Sequence, residues 1–332
     1  MRVPQVRGAE PYHPSMFARW QRSERALLVA CAEMYFQGVS TRNVRKVMEE
    51  MCGFEISQSV VSRVAMELDE KLAEFRSRRL DAREYPYLII DARYEKVRKS
   101  GRVVTEAVLV TCGVDAVGTR EVLEWRLGDS ESEDTWGEVF RTLKDRGLKG
   151  PRLVVSDAHK GIQKAMARHF QGVAWQRCRV HFKRELMKKV SWRDAKELMA
   201  DTAAVFCPED VRECMLRGEE MAVKWEGRGA AKVARMIREG LEDCLTVCGL
   251  PSEHRRRLNS TNMIERVMKE IKRRTRTVGV FPNEASCDRL VGALLVEMDE
   301  EWRVEEGCYL NMELVGTDIA SMLKKESSPA AA

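Results

Sequence analysis

Three acidic residues stand where acids can do chemistry. Asp91 follows the apolar run Leu88-Ile89-Ile90, and Asp157 follows Leu153-Val154-Val155-Ser156. A carboxylate at the end of a buried strand has a fixed backbone and points out at the sheet edge. Two of them on neighbouring strands can share a divalent cation, because Mg²⁺ is hard, prefers oxygen ligands and keeps positions open for water and phosphate. A third carboxylate must then arrive from a helix. Glu265 is the candidate: it lies in the first turns of the last long helix, expected to start near Ser260 or Thr261 and run through Lys272, with Lys269, Lys272 and Arg276 following along one face and Arg273 and Arg274 between them. Such a helix presents one metal ligand and a row of cations to a phosphate backbone. Alone, a glutamate followed by basic residues is simply a solvated helix with i,i+4 pairs; the two strand-end aspartates favour the other reading.

Other residues carry weaker signals. Cys178-x-x-His181 supplies half of a zinc site, and no second pair with matching spacing follows. The ten cysteines form no Cys-x-x-Cys pair, so neither a disulfide framework nor a four-thiolate zinc site is indicated, and most read as small buried apolar residues. His159, two residues past Asp157, can contact phosphate or water, or cap the helix that begins there. Trp225 can stack on an extruded base, or anchor the core of its own helical region. Arg255, Arg256 and Arg257 suit a phosphate path, although surface solvation alone explains them.

The elements that must position these residues are legible in outline. The 332 residues are 44% hydrophobic, enough for one substantial core with smaller satellites. Lys+Arg exceeds Asp+Glu by 57 − 52 = 5, too mild an excess to identify a nucleic-acid binder by itself. No stretch is apolar enough for a membrane span or a secretory signal, so a cytoplasmic location is expected. From Glu24 to Arg76 the pattern predicts three helices in a helix-turn-helix layout, with Gln58, Ser59, Ser62 and Arg63 opening the third, where they reach DNA or merely pack a helical hairpin. After Pro86, apolar runs at 87–90, 103–104, 107–110 and 122–127, with turns at Arg98–Gly101 and Asp115–Gly118, predict an antiparallel meander. A helix over 132–146, a strand at 153–155, a helix over 159–169 and a strand at 173–175 follow. Three strands, a helix and a strand, with acids ending the first and fourth strands, make a ribonuclease-H-like arrangement. The expected class is therefore α/β: residues 1–80 form a helical, helix-turn-helix-like DNA-binding domain; 81–182 the first part of the core; 183–258 an all-helical insertion; 259–326 the second part of the core with the Glu265 helix; and 327–332 a disordered tail.

Several blocks together resemble the mutator-type transposases of bacterial insertion sequences: Tyr85-Pro86-Tyr87-Leu88-Ile89-Ile90-Asp91-Ala92-Arg93-Tyr94, Ser156-Asp157-Ala158-His159-Lys160-Gly161, Trp175 to Phe182, and Thr261-Asn262-Met263-Ile264-Glu265, with Arg273-Arg274-Thr275-Arg276 and Phe281-Pro282-Asn283 beyond. The similarity runs from about Ser15 to the early 300s. It implies a catalytic and metal-binding triad of Asp91, Asp157 and Glu265, two Mg²⁺ ions with Mn²⁺ able to substitute, and strand cleavage at element ends followed by strand transfer. Cys178 and His181 match a short family motif beside the acids. DNA contacts are expected from Lys269, Lys272, Arg273, Arg274, Arg276, Arg63 and Trp225. The implied partners are terminal inverted repeats and target DNA, bound by a homodimer or larger assembly at the bacterial nucleoid. Asp91 comes early for this family, so a shortened N-terminal region is expected. A truncated copy that occupies element ends and represses the full-length enzyme is the alternative, and a nuclease acting on RNA–DNA hybrids is a further rival.

Overall fold

The structure is a computed structural model that describes residues 21–36, 58–305, 307–316 and 319–323. It is mixed α/β, with one five-stranded sheet and many helices. Two compact units emerge: one of residues up to Ser77 with Tyr94–Glu106 and Val267–Val304, the other of Arg78–Arg93, Ala107–Arg266 and the residues from Glu305 onward.

The second unit holds most of the sheet. Strands β1 (Tyr87–Lys99), β2 (Arg102–Val114) and β3 (Arg120–Gly128) run in sequence, then helix α3 (Glu133–Asp145) leads to β4 (Leu153–Ser156), and α4 (Lys160–His169) to β5 (Ala174–Arg177). The strand order is β3-β2-β1-β4-β5. Ser100 and Gly101, with φ of 48° and 78°, form the two-residue turn that joins β1 and β2 and so makes them antiparallel. β4 pairs in parallel with both β1 and β5. Leu88 and Ile90 of β1, Ala107 and Leu109 of β2 and Val154 of β4 pack against Trp136, Phe140 and Leu143 of α3 and Ile162 and Met166 of α4. By the period of two, Tyr87, Ile89 and Asp91 take the opposite face. Ser132 caps α3, its Oγ accepting from the Thr135 N–H at 3.1 Å.

Helices α5 (Arg179–Met187), α6 (Trp192–Val205), α7 (Val211–Gly227) and α8 (Ala231–Gly240), two short 3₁₀ turns and α9 (Ser252–Leu258) follow without a strand. The expected breaks at Pro208, Gly227–Gly229 and Gly249–Pro251 fall between these elements. The region has its own core, in which Phe182, Leu198, Trp225, Ile237 and Leu245 are buried.

The first unit contains α1 (Gln21–Phe36), α2 (Gln58–Ser77), most of α10 (Asn262–Val278) and α11 (Glu284–Val304). Arg289 pairs with Asp69 at 2.8 Å, Arg76 with Asp288, and Arg22 with Glu300 at 2.7 Å, tying α11 to α2 and α1. The expected middle helix of the helix-turn-helix, and the side chains of Gln58 and Ser59, lie outside the described residues, as does the tail.

Two expectations change. Asp91 does not end its strand: β1 is thirteen residues long and runs on past Asp91 to Lys99, because its hairpin with β2 continues after β4 stops at Ser156. Within the first unit, Phe281 then covers the exposed edge, its N–H donating to Lys96 O at 2.8 Å and its carbonyl accepting from the Arg98 N–H at 3.0 Å. Nor is the Glu265 helix the last long one. The 21-residue α11 follows, capped by Asn283, whose Oδ1 accepts from the Ser286 N–H at 2.8 Å. It is buried on nearly every side, so no clean apolar stripe marks it in the sequence.

Candidate active site

The parallel register of β1 and β4 sets Tyr87 opposite Leu153, Leu88 opposite Val154 and Ile89 opposite Val155. Continued by two residues, it brings Asp91 level with Asp157 on strands about 4.8 Å apart. Asp91 is 9% exposed and accepts from its neighbour's Ala92 N–H at 2.9 Å. Burial pushes its carboxyl up to about 7; the nearby His181 opposes the rise, and the negative charges of Asp157 and Glu131 add to it. Asp157 is half-buried and accepts from the His159 N–H at 3.2 Å, which ties it to the start of α4. His159 is the cap of that helix, its Nδ1 accepting from the Gly161 N–H at 3.3 Å.

Glu265 sits in the first turn of α10, but its carboxylate is engaged. Arg184 of α5 donates to both of its oxygens, at 2.9 and 3.1 Å. His181, one turn earlier on α5, places Nε2 3.9 Å from the same carboxylate. The imidazole is raised to about 9, chiefly by the adjacent Cys178 sulfur and further by Asp91 and Asp157, against the opposing effect of burial. Burial would raise the Cys178 thiol as well, yet His181 and two hydrogen bonds from Thr261, from N–H at 3.3 Å and Oγ1 at 3.4 Å, bring it below its ordinary value. Cys178 thus fastens the start of α10 to the start of α5 and sets its sulfur beside His181. His181 is the centre of the cluster, within electrostatic reach of Asp91, Asp157 and Glu265.

One carboxylate escaped sequence reasoning. Glu131 raises Asp91 and lies 4.0 Å from His159 Nδ1. Its stretch, Asp129-Ser130-Glu131-Ser132-Glu133-Asp134, reads only as an acidic helix start. What brings it to the site is Gly161: a Cβ there would stand 2.4 Å from the Glu131 carbonyl oxygen, so only glycine lets α4 approach this backbone. Glycine within the Asp157 block is the one sequence signal of that approach.

The remaining candidates divide. Lys269, Lys272, Arg273 and Arg276 are exposed on α10 beyond Glu265, although Arg273 is engaged by Glu270 at 2.6 Å. Arg274 is mostly buried and also meets Glu270, at 3.3 Å, which leaves it poorly placed for a phosphate. Arg63 is exposed on α2. Trp225 is 1% exposed, donates from Nε1 to Asp201 at 2.8 Å and has the Arg228 guanidinium 4.6 Å from its ring centre. Burial in the helical core leaves no ring face for a base; the anchoring alternative describes it.

As donors, Asp91 and Asp157 suit a hard divalent cation, and the negative charge of Asp157 and Glu131 beside the buried Asp91 is charge that a dication would neutralise. Among the described residues no three Asp, Glu, His or Cys side chains converge on one ion position. Glu265 is held instead by the Arg184 guanidinium.

A family model described as "Transposase, Mutator family" matches residues 1–305. The chain is 42% identical over 313 residues, 94% of its length and 78% of the relative's, to the transposase for insertion sequence element ISRM5 of Rhizobium meliloti. It is 35% identical over 314 residues, 94% of its length and 80% of the relative's, to the transposase for insertion sequence element IS256 in transposon Tn4001 of Staphylococcus aureus. Against the solved Drosophila P element transposase strand transfer complex, identity is 10% with 95% of this chain and 86% of that chain covered, at a TM-score of 0.31.

Proposed function

The chain belongs to the Mutator family of transposases, and from that membership we propose that it cuts DNA at the ends of an insertion sequence and joins the freed ends to target DNA, using Asp91, Asp157 and Glu265. The observation that carries the residue assignment is the register that levels Asp91 with Asp157, with His181 reaching both and Glu265. The sheet order, three antiparallel strands followed by a helix and a parallel strand, supports a ribonuclease-H-like core over 81–182 and 259–326 with the helical insertion 183–258 between them. Residues 1–80 are assigned to gripping the element ends, with Arg63 among the contacts.

In this mechanism Asp91, within β1, and Asp157, just past the end of β4, would hold the divalent ions, and Glu265, once free of Arg184, would complete the set. Mg²⁺, or Mn²⁺ in its place, supplies charge neutralisation and an acidified water or 3′-hydroxyl. Arg184, once released, can turn its guanidinium to a phosphate oxygen. His181 keeps a positive charge among the carboxylates, and the α10 cations Lys269, Lys272 and Arg276 follow the strand away from the site. Two element ends must meet in one reaction, so a dimer or larger assembly on DNA is expected. None of the described helices is long and apolar enough to cross a membrane.

The test incubates the protein with a labelled duplex bearing the inverted repeats that flank its gene, with and without Mg²⁺ or Mn²⁺. Metal-dependent nicking and strand transfer are expected. Asp91→Asn, Asp157→Asn and Glu265→Gln each reduce them by at least about a thousandfold, on the scale of losing one member of a catalytic unit, while binding persists. Full activity of Asp157→Asn would overturn its assignment, and binding without cleavage by the unaltered protein would favour the silent end-binding copy.

A further inference from the structure

On the neighbouring flank of the Glu265 helix lies a cavity of about 490 Å³, within the range of about 300 to 1,000 Å³ usual for ligand sites. Arg120, Arg256, Arg257 and Arg266 line it, against the single carboxylate of Glu305. Arg120 pairs with that carboxylate. The other three make no ion pair with a described residue. Arg257 has its Nε buried without a hydrogen-bond partner among the described residues. Tyr309 sits between the cations: the guanidinium carbons of Arg257 and Arg120 lie 4.8 and 5.2 Å from its ring centre.

The cavity is built on fixed backbone. The N–H groups of Tyr309 and Leu310 donate to Gly118 O at 2.8 and 3.2 Å. Gly118, at φ +87°, approaches so closely that a Cβ would stand 1.9 Å from Leu310 O. The turn between β2 and β3, the end of α9, the first turn of α10 and the 307–309 segment thus converge with four like charges and one opposite. Holding guanidinium groups together without anions is unfavourable; a phosphate, accepting forked N–H pairs from arginine, removes the repulsion.

We propose that this cavity binds a backbone phosphodiester of the DNA whose neighbouring linkage is cut, an inference that rests on the transposase reading above. The position argues for DNA rather than a free phosphate: Arg266 follows Glu265 directly, about 100° around α10, so a strand at the carboxylates can continue into the cavity. The Arg120 and Arg257 side chains form its wall, whereas Arg256 and Arg266 are exposed and can be replaced without disturbing the fold.

The experiment measures fluorescence anisotropy of a labelled terminal-repeat duplex over a salt series, comparing the unaltered protein with the Arg256→Gln/Arg266→Gln double variant, whose thermal melt serves as the folding control. The variant is expected to bind roughly tenfold more weakly, with a log–log salt slope shallower by about 1, as for one lost phosphate contact. A scan of single neutral methylphosphonate linkages should find one position that weakens the unaltered protein and leaves the variant indifferent. Equal affinity and slope for both proteins would overturn the inference. So would calorimetric binding of inorganic phosphate that the variant loses while its DNA binding stays intact, which would make the cavity a free-anion site. If the unaltered protein binds no duplex at all, the transposase reading itself fails.

Discussion

Arg184 decides what the third carboxylate is doing. A forked arginine on Glu265 satisfies both oxygens, and with Arg184 half-exposed and Glu265 mostly covered the pair is worth no more than about 1 kcal/mol. That is enough to keep Glu265 engaged and weak enough for a divalent ion, in the proposed mechanism, to displace. Arg184→Gln is therefore expected to tighten Mn²⁺ binding up to about fivefold, read by calorimetry or electron paramagnetic titration, while slowing strand transfer because the released guanidinium no longer meets phosphate. Unchanged Mn²⁺ affinity would mean that the pair is not a latch.

Among the elements, α4 does more than follow β4. Its first residues hold Asp157 through the His159 N–H, and its glycine lets the Glu131 backbone approach. Gly161→Ala must push that backbone away by more than a side chain can yield, because the obstruction is a carbonyl oxygen and the carbonyl carbon of Ser132 at 2.8 Å. Overpacking of this kind costs about 1–3 kcal/mol. The variant is expected to melt lower and to lose cleavage out of proportion to that loss at a temperature where it is folded. A variant that melts lower but cuts normally would show that the close approach serves packing alone.

For the molecule as a whole, the carboxylate cluster is a stability deficit that a bound dication would offset. Burying Asp91 beside Asp157 and Glu131 opposes folding when all are ionised, so Asp91→Asn is expected to stabilise the metal-free protein by about 1–3 kcal/mol. Mg²⁺ at a hundredfold excess over its dissociation constant should raise the melting temperature of the unaltered protein, a contribution of about 2.7 kcal/mol, and leave Asp91→Asn nearly unmoved. Equal Mg²⁺ responses from both proteins would remove Asp91 from the metal site.

By itself the sequence determined much of this. Apolar runs with period two and the basic, glycine-containing turn Arg98–Gly101 set the strands, the acids after Ile90 and Ser156 marked the ends of two buried runs, and helical spacing without strand signal marked the region after Phe182. These are local properties, written within a few residues of each other. What only the tertiary structure decided depends on residues far apart in the chain. The register between β1 and β4 levels Asp91 with Asp157; a glycine at 161 draws in Glu131; Arg184 reaches Glu265 across 81 positions; and Arg120 shares a cavity with Arg256, Arg257 and Arg266. Trp225 could be a surface or a core residue until its neighbours were known, and α11 hid because burial all round erases the periodicity that reveals a helix. Charge and packing partners are set by distance in space, and spacing along a chain reports that distance only within one element.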